Sequence, residues 1–257
     1  MNRQHEQHGL LRRLVRRASA TAGGDRGVTL VELMVTMVVT ALVAALTAAL
    51  VIGVQQTNQE NVSRQDQIDE ARVAVRSMSK TLRAAVTPSQ LATNCLEGAG
   101  CASGAFTQAS GTGVQFYSNL DNAENKEGPS RVTYVLATTG PQAGELVETI
   151  QVPDPGSSAA GYTYCTRGAG CEARISSRVL ARGVQSAAPV LRYFDTAGAA
   201  IPVSAGANLS AEQLRSVLSV ELTVSVQASG SSAAEPTTYI QRILLPNAQS
   251  LIKTGTE

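Results

Sequence analysis

The chain has 257 residues, 43% of them apolar, and 21 Lys and Arg against 20 Asp and Glu leave a net charge of +1. That is enough for one ordinary core plus an anchor, and it gives no global electrostatic reason to expect a nucleic acid partner. Both histidines, His5 and His8, stand near the start, so the rest of the chain has no imidazole, which excludes Ser-His-Asp and Cys-His catalytic sets and His-ligated zinc there. An enzyme would have to work with carboxylates, Lys or Tyr alone, so neither catalysis nor a cofactor is expected.

Residues 1–27 hold Arg3, Arg12, Arg13, Arg16, Arg17 and Arg26 against Glu6 and Asp25, about +4, which leaves about −3 on the remainder. An apolar run follows at once, from Val28 to Val54, with Glu32 as its only charge. As a helix it extends roughly 40 Å, long enough to span a bilayer. Arginines before it and little charge after it place the N-terminus in the cytoplasm and export everything beyond Val54. A secretory signal fits poorly, because the run exceeds the roughly 7–15 residues of an h-region and no A-x-A site follows it. A plain anchor leaves Glu32 unexplained, since a carboxylate within such a run costs about 2.5–3.5 kcal/mol. Thr29-x-x-Glu32 also matches a capping box, a local reading that coexists with any other role of Glu32.

The basic leader ending in Gly27, the string Gly27-Val28-Thr29-Leu30-Val31-Glu32 and the helix beginning there resemble the type IV prepilin family. In that family the leader ends in Gly, the mature chain opens with an apolar residue and its fifth residue is Glu; Val28 stands where Phe is commonest. The resemblance implies cleavage between Gly27 and Val28 by a prepilin peptidase on the cytoplasmic side, then N-methylation of Val28. It also implies an inner-membrane assembly platform, membrane lipid, and other minor and major pilins or pseudopilins as partners. The cut creates an ammonium group at Val28. In a filament of staggered parallel helices Glu32 of one subunit can pair with that group on the next, each replacing water that lipid withholds.

Beyond the apolar run, Ile68, Ala71, Val75, Met78, Leu82 and Ala85 recur at spacings of three and four, the stripe of an amphipathic helix. Arg64, Asp66, Asp69, Arg72, Arg76, Lys80 and Arg83 take the other faces, and Thr87-Pro88 ends the run. This stretch is similar to that of PilW-type minor pilins and of the J-type pseudopilin of type II secretion. The expected domains are a leader at 1–27, a membrane half-helix at 28–54, an amphipathic half-helix at 55–87 and an exported head at 88–257.

In the head, Gly-, Ser- and Thr-rich segments separate β-prone runs at Val114–Ser118, Arg131–Ala137, Glu145–Val152, Arg174–Ala181 and Val190–Asp195. Val220, Leu222, Val224 and Val226 alternate with polar residues, Thr237–Leu245 returns beside them, and Ser210 is placed to cap a short helical turn. One antiparallel sheet is the expectation. Cys95 with Cys101 and Cys165 with Cys171 form two C-x5-C pairs. Local disulfides suit an exported segment; a four-thiolate zinc site, whose pairs are normally C-x2-4-C, is the rival, and three connectivities are open. Gly98-Ala99-Gly100 and Gly168-Ala169-Gly170 lack the flanking strand and helix of a phosphate loop. Asp121, Glu124 and Glu127 with Asn122 and Asn125 fall short of an EF-hand and read as a solvated loop. Arg174, Arg178 and Arg182 repeat every four residues in a β-prone stretch, a speculative nucleic-acid patch.

The sequence thus reads as an α+β, pilin-like chain: a long N-terminal helix, its second half packed on an antiparallel sheet, serving as a minor pilin or pseudopilin with no metal site. A membrane-anchored extracellular binding or adhesin domain that does not polymerise is the rival, and an anchored carboxylate enzyme comes third.

Overall fold

The computed structural model describes residues 27–91, 104–120, 122, 127–156, 161–166, 168, 170–187, 189–204, 206–227 and 235–248. The chain falls into two units, with the boundary between Gln56 and Thr57. In the first, Gly27 to Thr29 lead into helix α1 (Leu30–Arg83), all of whose residues up to Gln56 are exposed.

The second unit begins on the same helix, and here the sequence pattern explains its burial. Ala71, Val75, Met78, Leu82 and Ala85 of the expected stripe are buried, Ile68 is half-buried, and Gln67, Ala74, Ser79 and Thr81 widen the covered face. Arg64, Asp66, Asp69, Arg72, Arg76, Lys80 and Arg83 all stay exposed, with Lys80 and Arg83 in the last turn, where cations favour the carbonyl end of the helix dipole. The helix tightens as it stops, Ala84 and Ala85 donating to the carbonyls of Thr81 and Leu82. Thr87 is extended ahead of Pro88, and a 3-10 turn follows at Pro88–Gln90.

Two antiparallel sheets cover this part of the helix. Sheet I is a meander of β1 (Phe106–Ala109), β2 (Gly113–Ser118), β3 (Ser130–Leu136), β4 (Leu146–Gln151) and β5 (Ile175–Ala181) in sequential order. Sheet II takes β6 (Leu191–Phe194), β7 (Ala200–Ile201), β8 (Ser219–Val226) and β9 (Thr237–Leu244) in the order β7-β6-β8-β9. Helix α2 (Ala211–Ser216) precedes β8 and begins at Ser210 with a complete capping box, Ser210 and Gln213 each bonding the other's backbone N–H. One core joins all of this: Ala71, Met78 and Leu82 of the helix, Phe116 and Tyr134 of sheet I, and Tyr193, Leu222 and Ile243 of sheet II belong to a single buried cluster.

The expected single sheet is therefore two, and the break has a local cause. After β5 the backbone takes a positive φ of 65° at Gly183, and the following segment leads away from sheet I, so β6 pairs with β8 rather than β5. The sheets keep one seam, a bridge between Val184 and Val226, flanked by Gln227 N–H donating to the Gly183 carbonyl at 3.0 Å and Gln185 N–H to the Ser225 carbonyl at 2.8 Å. Strands β1 and β7 were not expected; they span four and two residues, too short to show alternation.

A Cβ at Gly183 would stand 2.2 Å from the Gln227 carbonyl oxygen, whereas at Gly140, also at positive φ, it would meet nothing within 4 Å. Gly183→Ala should therefore cost at least about 1–3 kcal/mol and Gly140→Ala only the backbone strain of about 1 kcal/mol. Thermal unfolding of the two variants checks this; equal melting temperatures would contradict the seam.

Candidate functional site

The N-terminal site is built by one helix start. Thr29 accepts the Glu32 N–H on its hydroxyl at 3.2 Å and the Leu33 N–H on its carbonyl at 3.1 Å, so Thr29 is the N-cap and Glu32 lies in the first turn. This is one half of the capping box; the Glu32 carboxylate has no partner among the described residues. It stands where free N–H groups favour an anion, beside the exposed Gly27 and Val28. Gly27, Val28 and Glu32 are thus together at one end of the helix.

From there α1 is apolar and bare. Its most apolar window has a mean hydropathy of 2.6 with none of it buried, and α1 is the one helix among the described residues long and apolar enough to cross a membrane. Leu30, Val31, Met34, Val38, Leu46 and Leu50 are all exposed, a continuous apolar surface far beyond the patches that soluble monomers leave open. The hydroxyls in this stretch are satisfied within the helix: Thr36 donates to the Leu33 carbonyl, Thr40 to that of Thr36 and Thr47 to that of Ala44. A helix in lipid requires such internal satisfaction, and of the polar side chains from Val28 to Val54 only the Glu32 carboxylate has no partner among the described residues.

Residues 24–48 match the family model for the prokaryotic N-terminal methylation motif. The matched stretch holds Gly27, Val28, Glu32 and the first turns of α1. No curated protein matches the chain. The motif and the bare apolar helix together support a type IV pilin-like protein anchored by a single membrane pass, and the motif implies processing by a prepilin peptidase and assembly with other pilins.

The second feature of consequence is how the head grips the rest of α1, and here sequence reading missed the central group. Glu148 faces inward from β4 with 1% of its side chain exposed. Register sets Tyr134 and Arg178 on either side of it. The Tyr134 hydroxyl donates to Glu148 Oε1 at 2.7 Å, Arg178 Nε pairs with Oε2, and Arg178 Nη2 reaches Ser77 Oγ on the helix at 2.6 Å. The hydrogen bond to Glu148 raises the Arg178 pKa, and burial, with the Glu148 charge second, pushes the Tyr134 phenol far above its usual 10.0. The signal was legible: Leu146, Glu148 and Ile150 alternate in one phase, so a charge was written into an inward position.

The other predicted residues sort plainly. Cys165 and Cys171 are joined as a disulfide with Cα atoms 5.7 Å apart. Their loop is tied to sheet I by Gln151, which donates to the Cys165 carbonyl at 2.7 Å, and by Asp154, which accepts the Cys165 N–H and pairs with Arg174. Cys95, Cys101, Gly98-Ala99-Gly100 and Ala169, and Asp121, Glu124 and Asn125 of the acidic loop, lie outside the described residues. Asn122 caps the remainder of that loop, accepting the Glu127 and Gly128 N–H groups on Oδ1. Arg174, Arg178 and Arg182 pair with Asp154, Glu148 and Glu145. With each guanidinium already matched to a carboxylate, the row is no surplus-charge patch for nucleic acid.

Arg178→Met strands a buried carboxylate; breaking a buried pair costs about 3–5 kcal/mol, and because Arg178 is 58% exposed the expected loss falls to about 1–2 kcal/mol. Tyr134→Phe removes one neutral donor and should cost about 1 kcal/mol. Denaturant unfolding of the detergent-solubilised chain checks both. A separate expectation concerns pH. Burial also raises the phenols of Tyr164 and Tyr193 above 10.0, so the fold binds these protons more tightly than the unfolded chain does. Stability from them is complete below pH 10 and falls as pH rises above it, by up to about 1.4 kcal/mol per pH unit for each tyrosine. Absorbance showing all six tyrosines ionised at pH 10 without unfolding would contradict it.

Proposed function

We propose that this chain is a prepilin whose leader, residues 1–27, is removed between Gly27 and Val28 by a prepilin peptidase, whose Val28 is then N-methylated, and which enters a filament as a minor subunit. The observation that carries the reading is the Glu32 carboxylate, without a partner among the described residues in the first turn of a bare apolar helix, four residues beyond the proposed new terminus and inside the matched methylation motif. Before assembly, residues 28–54 anchor the chain in the cytoplasmic membrane with the N-terminus inside; residues 55–87 carry the head, 88–257, outside. On assembly, Glu32 pairs with the methylated ammonium of an adjacent subunit. Neither charge is solvated in lipid, so the pair sets axial register as well as affinity. PilW-type minor pilins of type IV pili and J-type pseudopilins of type II secretion are the models for this role, with other pilins and the inner-membrane assembly platform as partners.

Co-expression with a prepilin peptidase should shorten the chain by its 27-residue leader and leave Val28, methylated, as its first residue. An N-terminus at any other position rejects the reading. Glu32→Leu should still be cut yet fail to enter filaments; unchanged incorporation would remove Glu32 from the assembly role while leaving the processing site standing.

A further inference from the structure

The outward side of β8 is what its alternation demands, with Glu221, Thr223 and Ser225 lying between apolar positions that face the core. Strand β9 mixes the two. Inward, Tyr239 and Ile243 pack on the core beside polar Thr237 and Gln241, which bond Gln67 and Ser79 of α1; outward, Thr238 and Arg242 alternate with Ile240 and Leu244, 62% and 59% exposed. Arg242 lies between them on the same face, its guanidinium 3.4 Å from the centre of the Phe194 ring. The register places Arg242 and Arg192 on either side of Glu221, at 3.7 and 3.9 Å. A charge-assisted pair closes to about 2.7–2.9 Å, so two guanidiniums share one carboxylate loosely and their forks remain open. Beside them runs a shallow cleft of about 490 Å³ lined by Phe194, Ile201, Pro202 and Val203.

We propose that this outer face of sheet II docks a segment of a different protein that carries a carboxylate flanked by aliphatic side chains. The row Arg192-Glu221-Arg242 has one positive charge in excess, so it recruits an acid and repels a base. The incoming carboxylate takes the two open guanidinium forks, and its aliphatic neighbours cover Ile240, Leu244 and the cleft. A second copy is a poor occupant, because face-to-face docking would set arginine against arginine. The inference goes beyond the filament reading and does not depend on where the N-terminus is cut.

The test places a photoreactive residue in the full chain, Ile240→p-benzoylphenylalanine or Leu244→p-benzoylphenylalanine, and irradiates it in the cell envelope of the cell that makes it. The expected product from both positions is one discrete adduct with another protein, whose cross-linked peptide holds Asp or Glu beside Leu, Ile or Val. Arg192→Glu, which leaves the Arg242–Phe194 contact intact, should lower the yield at least about tenfold, and Arg192→Lys should retain most of it. An unchanged melting temperature shows that the head still folds; if Arg192→Glu disturbs it, Arg192→Gln is read instead. No adduct from either position, an adduct only with a second copy or with lipid, or a yield indifferent to the charge at Arg192 would each overturn the proposal.

Discussion

Side-chain burial fixes a helix only where something covers it, and in α1 that begins at Gln67. Before it the helix is exposed almost throughout, apolar to Val54 and mostly polar from Gln55 to Asp66; after it, one face is sealed by two sheets. The residues buried there are small along much of the contact, Ala71 and Ala74 among them, which lets the sheets approach closely while Met78 and Leu82 fill the space between. Among the described residues the buried contact between head and helix runs from Gln67 to Leu82, within about five turns, and its quality decides how firmly the head is carried.

Polar contacts do much of that fixing. Arg182 N–H and Arg178 reach Glu70 and Ser77 from the sheet I side; Thr237 and Gln241 reach Gln67 and Ser79 from the sheet II side. At the end of the helix Ser118 donates to the Thr81 carbonyl and Thr87 to that of Ala248. An apolar stripe alone tolerates rotation or a slip by one turn at small cost. A carboxylate held at Glu148 by Tyr134 and Arg178, with Arg178 extended to one hydroxyl of the helix, does not, because a slip would leave the guanidinium without that partner and the polar groups around it unsatisfied. The buried charge thus serves position more than net stability, in keeping with the small surplus such pairs supply.

What the sequence made legible follows from periodicity. The α1 stripe, the β8 alternation, the Ser210 cap and seven of the strands are local patterns, each readable from its own residues. The split into two sheets was not, because it turns on a backbone conformation at Gly183 and on a pairing of β6 with a strand some thirty residues later. Local spacing carries no information about which of two antiparallel neighbours a strand will choose. Of the candidate site, Gly27, Val28 and Glu32 could be singled out in the sequence because they lie within six residues of one another. The Glu148 cluster was overlooked because its members are scattered, although an acid in the inward phase of β4 was a sign that a partner had to be found for it.

The mixed alternation of β9 ties these points together. Among its inward residues Tyr239 and Ile243 serve the core, while Thr237 and Gln241 are polar because the helix opposite offers Gln67 and Ser79. Once Thr237 and Gln241 are committed inward, the period of two obliges the intervening positions to face out, and a strand that met only water there would carry polar residues at them. Thr238 and Arg242 obey that rule, whereas Ile240 and Leu244 do not, and they stand beside an arginine whose carboxylate is shared. Register with the helix accounts for the polar residues on the inner side of β9 and not, among the described residues, for the two exposed aliphatic ones on its outer side. A surface that the fold does not need, yet which runs against the alternation that folding favours, is best accounted for by a contact made outside it.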